Sequence, residues 1–199
     1  LFDHVLMTTM IARGFAALSV ALCLSSPLRA ETEDASVLAE LAKPGHVLML
    51  RHAHAPGFGD PPGFKLGDCA TQRNLDGAGR EQARRLGERL RAAGVGRATV
   101  YSSQWCRCLE TAGLLNLGDV KPLSALNSFF GRLEEREGRL TAVRELLAGL
   151  STDGGPVVLV THQVTVSAIT GRGVGSGGGY LLRLDGSGAP AVVGALTGR

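Results

Sequence analysis

Four apolar residues in a row, Val47-Leu48-Met49-Leu50, run directly into Arg51-His52. Pro44-Gly45 precedes the run, and Pro56, Gly57, Gly59, Pro61, Pro62 and Gly63 follow it. A short continuous apolar run bounded by turn residues predicts a buried strand of a parallel sheet, here about residues 46–50. A second run, Val157-Val158-Leu159-Val160-Thr161, enters His162, and a third, Thr99-Val100-Tyr101, leads through Ser102-Ser103 to a helix carrying Arg107. Between these strands the apolar spacing changes to that of helices. Ala83, Leu86 and Leu90 share one face, as do Cys108, Ala112 and Leu115, and Leu140, Val143, Leu146 and Leu147 form a third stripe.

The pattern predicts helices opening at Asn74 to Asp76 and ending near Ala92, then over 104–115, 134–150 and from Val164 to Ile169. A short helix is expected over 35–42, and an edge strand over 180–184. Asp76 or Asn74 is the expected cap of the second helix, and the arginines between its apolar positions read as a solvated face. Residues 121–131 read as loop or short strand, with Phe129 and Phe130 as core or pocket lining. Strands alternating with helices give one domain over residues 31–199: α/β, a three-layer α/β/α sandwich with a mostly parallel central sheet. The long segment 53–73, rich in Gly and Pro, is the expected substrate-facing rim. Gly173, Gly175 and Gly178 imitate a dinucleotide fingerprint, but they follow a helix and open a strand, the reverse of what that site needs. They are read as a flexible connector.

Composition narrows the class. The chain has 199 residues, 44% hydrophobic and 20% charged, with a net charge of +3, which describes a globular protein without the charge density of a nucleic-acid binder. Arg13 precedes an apolar stretch from Gly14 to Leu24, followed by small residues up to Ala30 and the acidic Glu31-Thr32-Glu33-Asp34. This is the layout of a secretory signal peptide, too short in its apolar part to span a bilayer comfortably. Residues 1–30 are therefore expected to be signal peptide and upstream residues, with Met7 or Met10 as the start and cleavage after Ala30. The mature chain is expected in the periplasm or secreted, with no stable membrane insertion.

An oxidising compartment permits disulfides. Cys106 and Cys108 lie two apart on a helix and face different ways, so they are not expected to bridge each other. Cys108 falls on the core face, which leaves Cys69 with Cys106 as the first choice. The alternative is a zinc site using these thiols with His54, although Cys-x-Cys lacks the usual finger spacing.

Strand ends at one sheet edge would thus gather Arg51, His52, Arg107 and His162. Arg51-His52-Ala53, Asp76-Gly77-x-Gly79-x-x-Gln82-Ala83, Ser102-Ser103 with Arg107 and Thr111-Ala112, and Thr161-His162 together resemble the histidine phosphatase superfamily, the phosphoglycerate mutase-like fold. The likeness runs from about Val47 to Ile169. It departs from the usual Arg-His-Gly at Ala53. The resemblance implies a metal-independent phosphomonoester hydrolase with His52 as nucleophile and a phosphohistidine intermediate. Arg51 and Arg107 offer planar donor forks to phosphate oxygens and His162 a further hydrogen bond. Flanking arginines are expected to hold His52 neutral.

Gln163 and His54 are expected to line the substrate site, His54 as pocket rim; His52 and His54 as a metal pair is the least favoured reading. No cofactor and no metal is expected. The partner is a small-molecule phosphomonoester or inorganic phosphate, with an envelope sugar phosphate as one candidate. The proton donor for the leaving group is unassigned. Gln163 cannot serve, the segment from Leu126 to Phe130 has no acid, and Glu134, Glu135, Asp60 and Asp68 lie only nearby. The competing reading is a non-catalytic phosphate- or phosphosugar-binding protein on the same fold.

Overall fold

The computed structural model describes residues 27–198, and side chains from Asp34 onward. The expected signal segment up to residue 26 lies outside the described residues. The elements in order are α1 (Pro27–Leu41), β1 (His46–Arg51), α2 (Gly77–Ala92), β2 (Thr99–Ser102), α3 (Cys106–Leu115), β3 (Val120–Pro122), α4 (Arg136–Gly149), β4 (Val157–Thr161), α5 (Gln163–Thr170), β5 (Gly179–Arg183) and β6 (Ala191–Leu196). One-turn 3-10 helices lie at 69–71, 124–126 and 133–135. α1 starts earlier than the stripe over 35–42 suggests, with Pro27 as its first residue, where a missing N–H costs nothing. No described helix is long and apolar enough to cross a membrane.

The six strands form one sheet in the order β3-β2-β4-β1-β5-β6. β1 with β4, β2 with β4 and β2 with β3 are parallel; β5 pairs antiparallel with β1 and with β6. β1 and β4 are central, as their unbroken apolar runs demand. Alternate residues serve opposite faces. Leu48, Leu50, Val158, Val160 and Leu181 join Leu38 and Leu41 of α1, Leu86 and Leu90 of α2, and Cys108, Ala112 and Leu115 of α3 in one core. Val47, Met49, Leu159 and Leu182 pack with Val143 and Leu147 of α4 and Val166 of α5 in the other. These are the three expected layers.

The region from Tyr180 is not an edge strand. β5 is buried over its first four residues because β6 covers its outer side, and α1 in turn packs on β6. Asp34 ties these ends together: its carboxylate accepts from Arg89 Nη2 of α2 at 2.7 Å and from the backbone N–H of Thr197 at 3.0 Å. The glycine-rich segment is also no loose connector. Gly177 N–H donates to His52 O at 3.0 Å, and Arg51 N–H to Gly178 O at 2.9 Å, so it is laced to the end of β1.

Two glycines set helix approach. A Cβ on Gly87 of α2 would lie 2.3 Å from Leu115 O, and one on Gly79 would lie 1.9 Å from His54 O. α2 therefore lies directly against the end of α3 and against the turn after β1.

Candidate active site

Parallel strands release their following loops on the same edge of a sheet. β1, β4 and β2 are adjacent, so Arg51-His52, His162 and the segment from Ser103 to Arg107 emerge side by side. The turn after β1 is fixed by the Asp76 motif. Asp76 caps α2 through Gly79 N–H at 2.7 Å, and Gln82 Oε1 accepts from His54 N–H at 2.8 Å. The Gln82 amide also donates to Ser176 O at 3.0 Å, joining this turn to the glycine-rich segment. From α3, Thr111 Oγ1 accepts from Ala53 N–H at 3.0 Å and donates to Arg107 O at 2.6 Å.

His52 is 2% exposed. Its Nδ1 lies 2.8 Å from Ala53 O, which accepts only, so Nδ1 carries the proton. Nε2 is then the lone-pair nitrogen, and Arg107 Nε donates to it at 3.2 Å. Its pKa is lowered to about 3, chiefly by burial, with the charges of Arg107, Arg51 and Arg73 adding in the same direction against the Ala53 hydrogen bond. The neutral state expected from flanking arginines is present, but desolvation is its main cause.

His162 is buried and lies edge-to-face with His52 at 5.5 Å between ring centroids. Its Nε2 is 2.8 Å from Ser103 Oγ, which reaches Asn127 Oδ1 at 3.2 Å, while Arg107 Nη2 stands 3.5 Å from Nδ1. Burial first, then the Arg107 charge, hold this ring's pKa well below its usual value. A chain of donors from Nε2 to Ser103 Oγ to Asn127 Oδ1 leaves Nδ1 as the unprotonated nitrogen, beside Arg107 Nη2. Ser103 and Asn127 thereby orient His162.

Arg107 is buried, and its outer fork is occupied. Nη1 and Nη2 donate to Asp60 Oδ1 and Oδ2 at 2.7 and 3.1 Å. Trp105 Nε1 donates to Oδ2 at 3.0 Å and Arg73 N–H to Oδ1 at 3.1 Å. Burial raises the Asp60 pKa, but Arg107 and the other donors outweigh it, and the net shift is downward. Arg51 donates through Nη1 to Val174 O at 3.2 Å, while its buried Nε has no hydrogen-bond partner.

Arg51, His52, Arg107, His162 and Gln163 all line one cavity of about 400 Å³. Its outer walls come from residues 57–64, Ser128 and residues 130–132, with Phe58 and Phe130 in edge-to-face contact at 5.0 Å. Phe129 is core and Phe130 is rim, one residue for each expected role. His54 is not part of this cavity. Its ring turns out to the α2 cap, 3.2 Å from both Asp76 carboxylate oxygens, because the chain leaves the sheet after His52 and loses the strand alternation that a His-x-His pair needs.

Asp60 and Arg73 were not foreseen in these roles. Arg73 lines the cavity and braces the rim by donating from Nε to Gly59 O at 2.7 Å. The only sequence signal for either was a charge inside a Gly- and Pro-rich loop. Cys69 and Cys106 form a disulfide, joining the base of that loop to the first residue of α3, and Cys108 is free and buried. This removes two of the three thiols of the zinc alternative and leaves the third buried. Among the described residues no group of three or more His, Cys, Asp or Glu stands together as a metal-ligand set.

The Arg51 guanidinium, with its unpartnered Nε, and the Arg107 guanidinium, now held by the Asp60 carboxylate, give the cavity donors of the kind that suit a tetrahedral anion beside His52. The model of the histidine phosphatase superfamily (branch 1) matches residues 47–137. No curated protein matches the chain. Among solved structures, the protein histidine phosphatase SixA complexed with tungstate is similar at a TM-score of 0.57 and 19% identity, covering 77% of this chain and 97% of that one. The ecdysone phosphate phosphatase from Bombix mori, also with tungstate, gives 0.55 and 17%, covering 74% and 91%. A phosphoserine phosphatase mutant from Entamoeba histolytica with phosphoserine gives 0.54 and 15%, covering 77% and 98%. At these identities the structures share the fold.

Proposed function

Since this chain belongs to the histidine phosphatase superfamily, we propose that it hydrolyses phosphomonoesters through a phosphohistidine formed on Nε2 of His52, without a metal ion. The observation that carries this reading is the pairing of His52 and Arg107. A neutral, buried imidazole has its Nδ1 tied to Ala53 O, and its unprotonated Nε2 accepts from Arg107 Nε at 3.2 Å. The phosphoryl group binds with its oxygens on Arg51 and Arg107, while His162, its unprotonated Nδ1 beside Arg107 Nη2, braces that guanidinium, and phosphorus faces Nε2 of His52. Donors fixed in a dry site stabilise the charge on those oxygens during transfer, a contribution of about 10²–10³ in rate per donor in comparable sites. Gln163, at the start of α5, contacts bound ester from the cavity wall. Water then cleaves the P–N bond and releases phosphate.

The cavity is of small-molecule size, and the mature chain acts outside the cytoplasm. The support is the signal-like order of residues 13–30 and the Cys69–Cys106 disulfide, a bond kept in oxidising compartments. An envelope sugar phosphate is the substrate class we assign on that basis. Turnover of an aryl phosphate in EDTA and trapping of an acid-labile phosphorylated chain test the chemistry. His52→Ala is expected to abolish both while still binding tungstate. Wild-type protein that binds tungstate but turns over no phosphomonoester is instead a phosphate-binding protein. Cell fractionation tests the location.

A further inference from the structure

Arg107 makes its closest side-chain contacts not with a histidine but with Asp60. A carboxylate and a phosphate offer a guanidinium the same pair of oxygens at the same spacing. The two nitrogens of Arg107 that grip Asp60 belong to the same planar group whose Nε touches His52 Nε2, so Asp60 and the nucleophile stand on two sides of one guanidinium. Of the described residues lining the cavity, Asp60 alone is acidic. Of the other nearby acids, Asp68 holds the turn at Ala70, Asp76 caps α2, Glu135 pairs with Arg139, and Glu134 is exposed and outside the cavity lining. Asp60 sits between Gly59 (φ +68°) and Pro61-Pro62-Gly63 (φ +77°), and a Cβ on either glycine would meet nothing within 4 Å. The surface of this loop is open on that side.

We propose that Asp60 holds the phosphate position on Arg107 between turnovers and, once displaced by the incoming ester, donates the proton to its leaving oxygen. This rests on the phosphatase reading above and fills the role for which neither Gln163 nor the Leu126–Phe130 segment has an acid. Displacement also supplies the proton. A phosphomonoester monoanion takes the fork as the dianion, and its proton passes to Asp60, which has lost its cation partner and now faces a second anion. The bond from phosphorus to the leaving oxygen breaks as the bond to His52 Nε2 forms, and Asp60 protonates that oxygen. In the second step water attacks phosphorus, the P–N bond breaks, and the Asp60 carboxylate takes the water's proton. Phosphate takes that proton back and leaves as the monoanion, and the regenerated carboxylate returns to Arg107. The charged and titratable groups around Asp60 are Arg107 of α3, Arg73 before α2, Arg51 and His52 at the end of β1, His162 after β4 and Arg132 before α4. None of them is a second acid.

The test uses the full chain and Asp60→Asn, which keeps the shape and loses both charge and acidity. Tungstate binding is measured by calorimetry. Turnover is measured on an aryl phosphate with a good leaving group and on a primary alkyl phosphate. Removing the internal competitor is expected to tighten tungstate about 3- to 10-fold. Removing the acid is expected to lower kcat on the alkyl ester about 10²- to 10⁴-fold, and on the aryl ester less than 10-fold. Unchanged or weaker tungstate binding overturns the displacement and makes Asp60 a positioning residue for Arg107. Equal losses on both esters overturn the acid role. If the wild-type chain turns over neither ester, the phosphatase reading fails and the acid role with it. The tungstate comparison then still decides displacement.

Discussion

A buried neutral histidine has a consequence for acid stability that can be worked from one residue. His52 is lowered to about 3 in the fold from its ordinary 6.5. The folded pKa lies below the unfolded one, so the unfolded chain takes up a proton first. The stability linked to His52 is fully present above the unfolded value and is lost as pH falls from about 6.5 toward 3. Each pKa unit corresponds to about 1.36 kcal/mol, so between pH 7 and pH 5 His52 alone removes about 2 kcal/mol. His162 is shifted in the same direction and adds to the loss. Asp60, lowered from 3.8, begins to contribute only nearer pH 4, so a pH 7 to 5 window isolates the histidines. The measurement is urea unfolding of wild type and His52→Asn at pH 7 and pH 5, without phosphate, which would bind the fold and mask the effect. The pH-dependent loss should be about 2 kcal/mol smaller in the variant, whatever its stability at pH 7. Equal losses in the two proteins would refute the assignment of His52 as neutral because it is dry.

Two further outcomes follow from packing and covalent structure. Gly87→Ala places a methyl group 2.3 Å from a backbone oxygen of α3, so α2 and α3 must separate; a loss of about 1–3 kcal/mol is expected by denaturant unfolding, with an unchanged m-value. Cys69→Ser with Cys106→Ser opens a loop with a sequence separation of 37, worth about 4 kcal/mol on the chain-entropy model, and thermal unfolding in the absence of reductant should show it. If that double variant unfolds at the wild-type temperature, the disulfide adds nothing to stability.

The parts of the fold written in the sequence were those with a strong local period. β1 and β4 are buried on both faces and had to be continuous apolar runs. The helix stripes at Leu86 and Leu90 or Leu140 and Val143 each needed only one buried face. β6 was not visible, because Ala191 to Leu196 is half exposed and interrupted by Gly194, so its pairing with β5 depends on a hairpin and on α1 rather than on its own pattern. Arg51, His52, Arg107, Gln163 and His162 were legible as chemistry at strand ends, and the structure brings them to one cavity. Asp60 and Arg73 were not, since both lie in aperiodic loop and meet their partners at separations of 47 and 14–18 residues, with no periodic pattern to announce them. His54 misled for the opposite reason: two-residue spacing implies a shared face only while the chain stays extended.

The four walls of the cavity are contributed by stretches of chain with separate anchors. The chemistry is held at the ends of β1, β4 and α3, whose positions are set by the two cores. The roof, residues 57–64, is fastened to Arg107 and Trp105 through Asp60 and below by Arg73 and the Cys69–Cys106 bond, while Phe58 meets, among the described residues, only Phe130 across the mouth. The shape of the mouth can therefore drift by exchanging Phe58 while Asp60 and the groups below it stay in place, and a designer seeking a new leaving group would begin there.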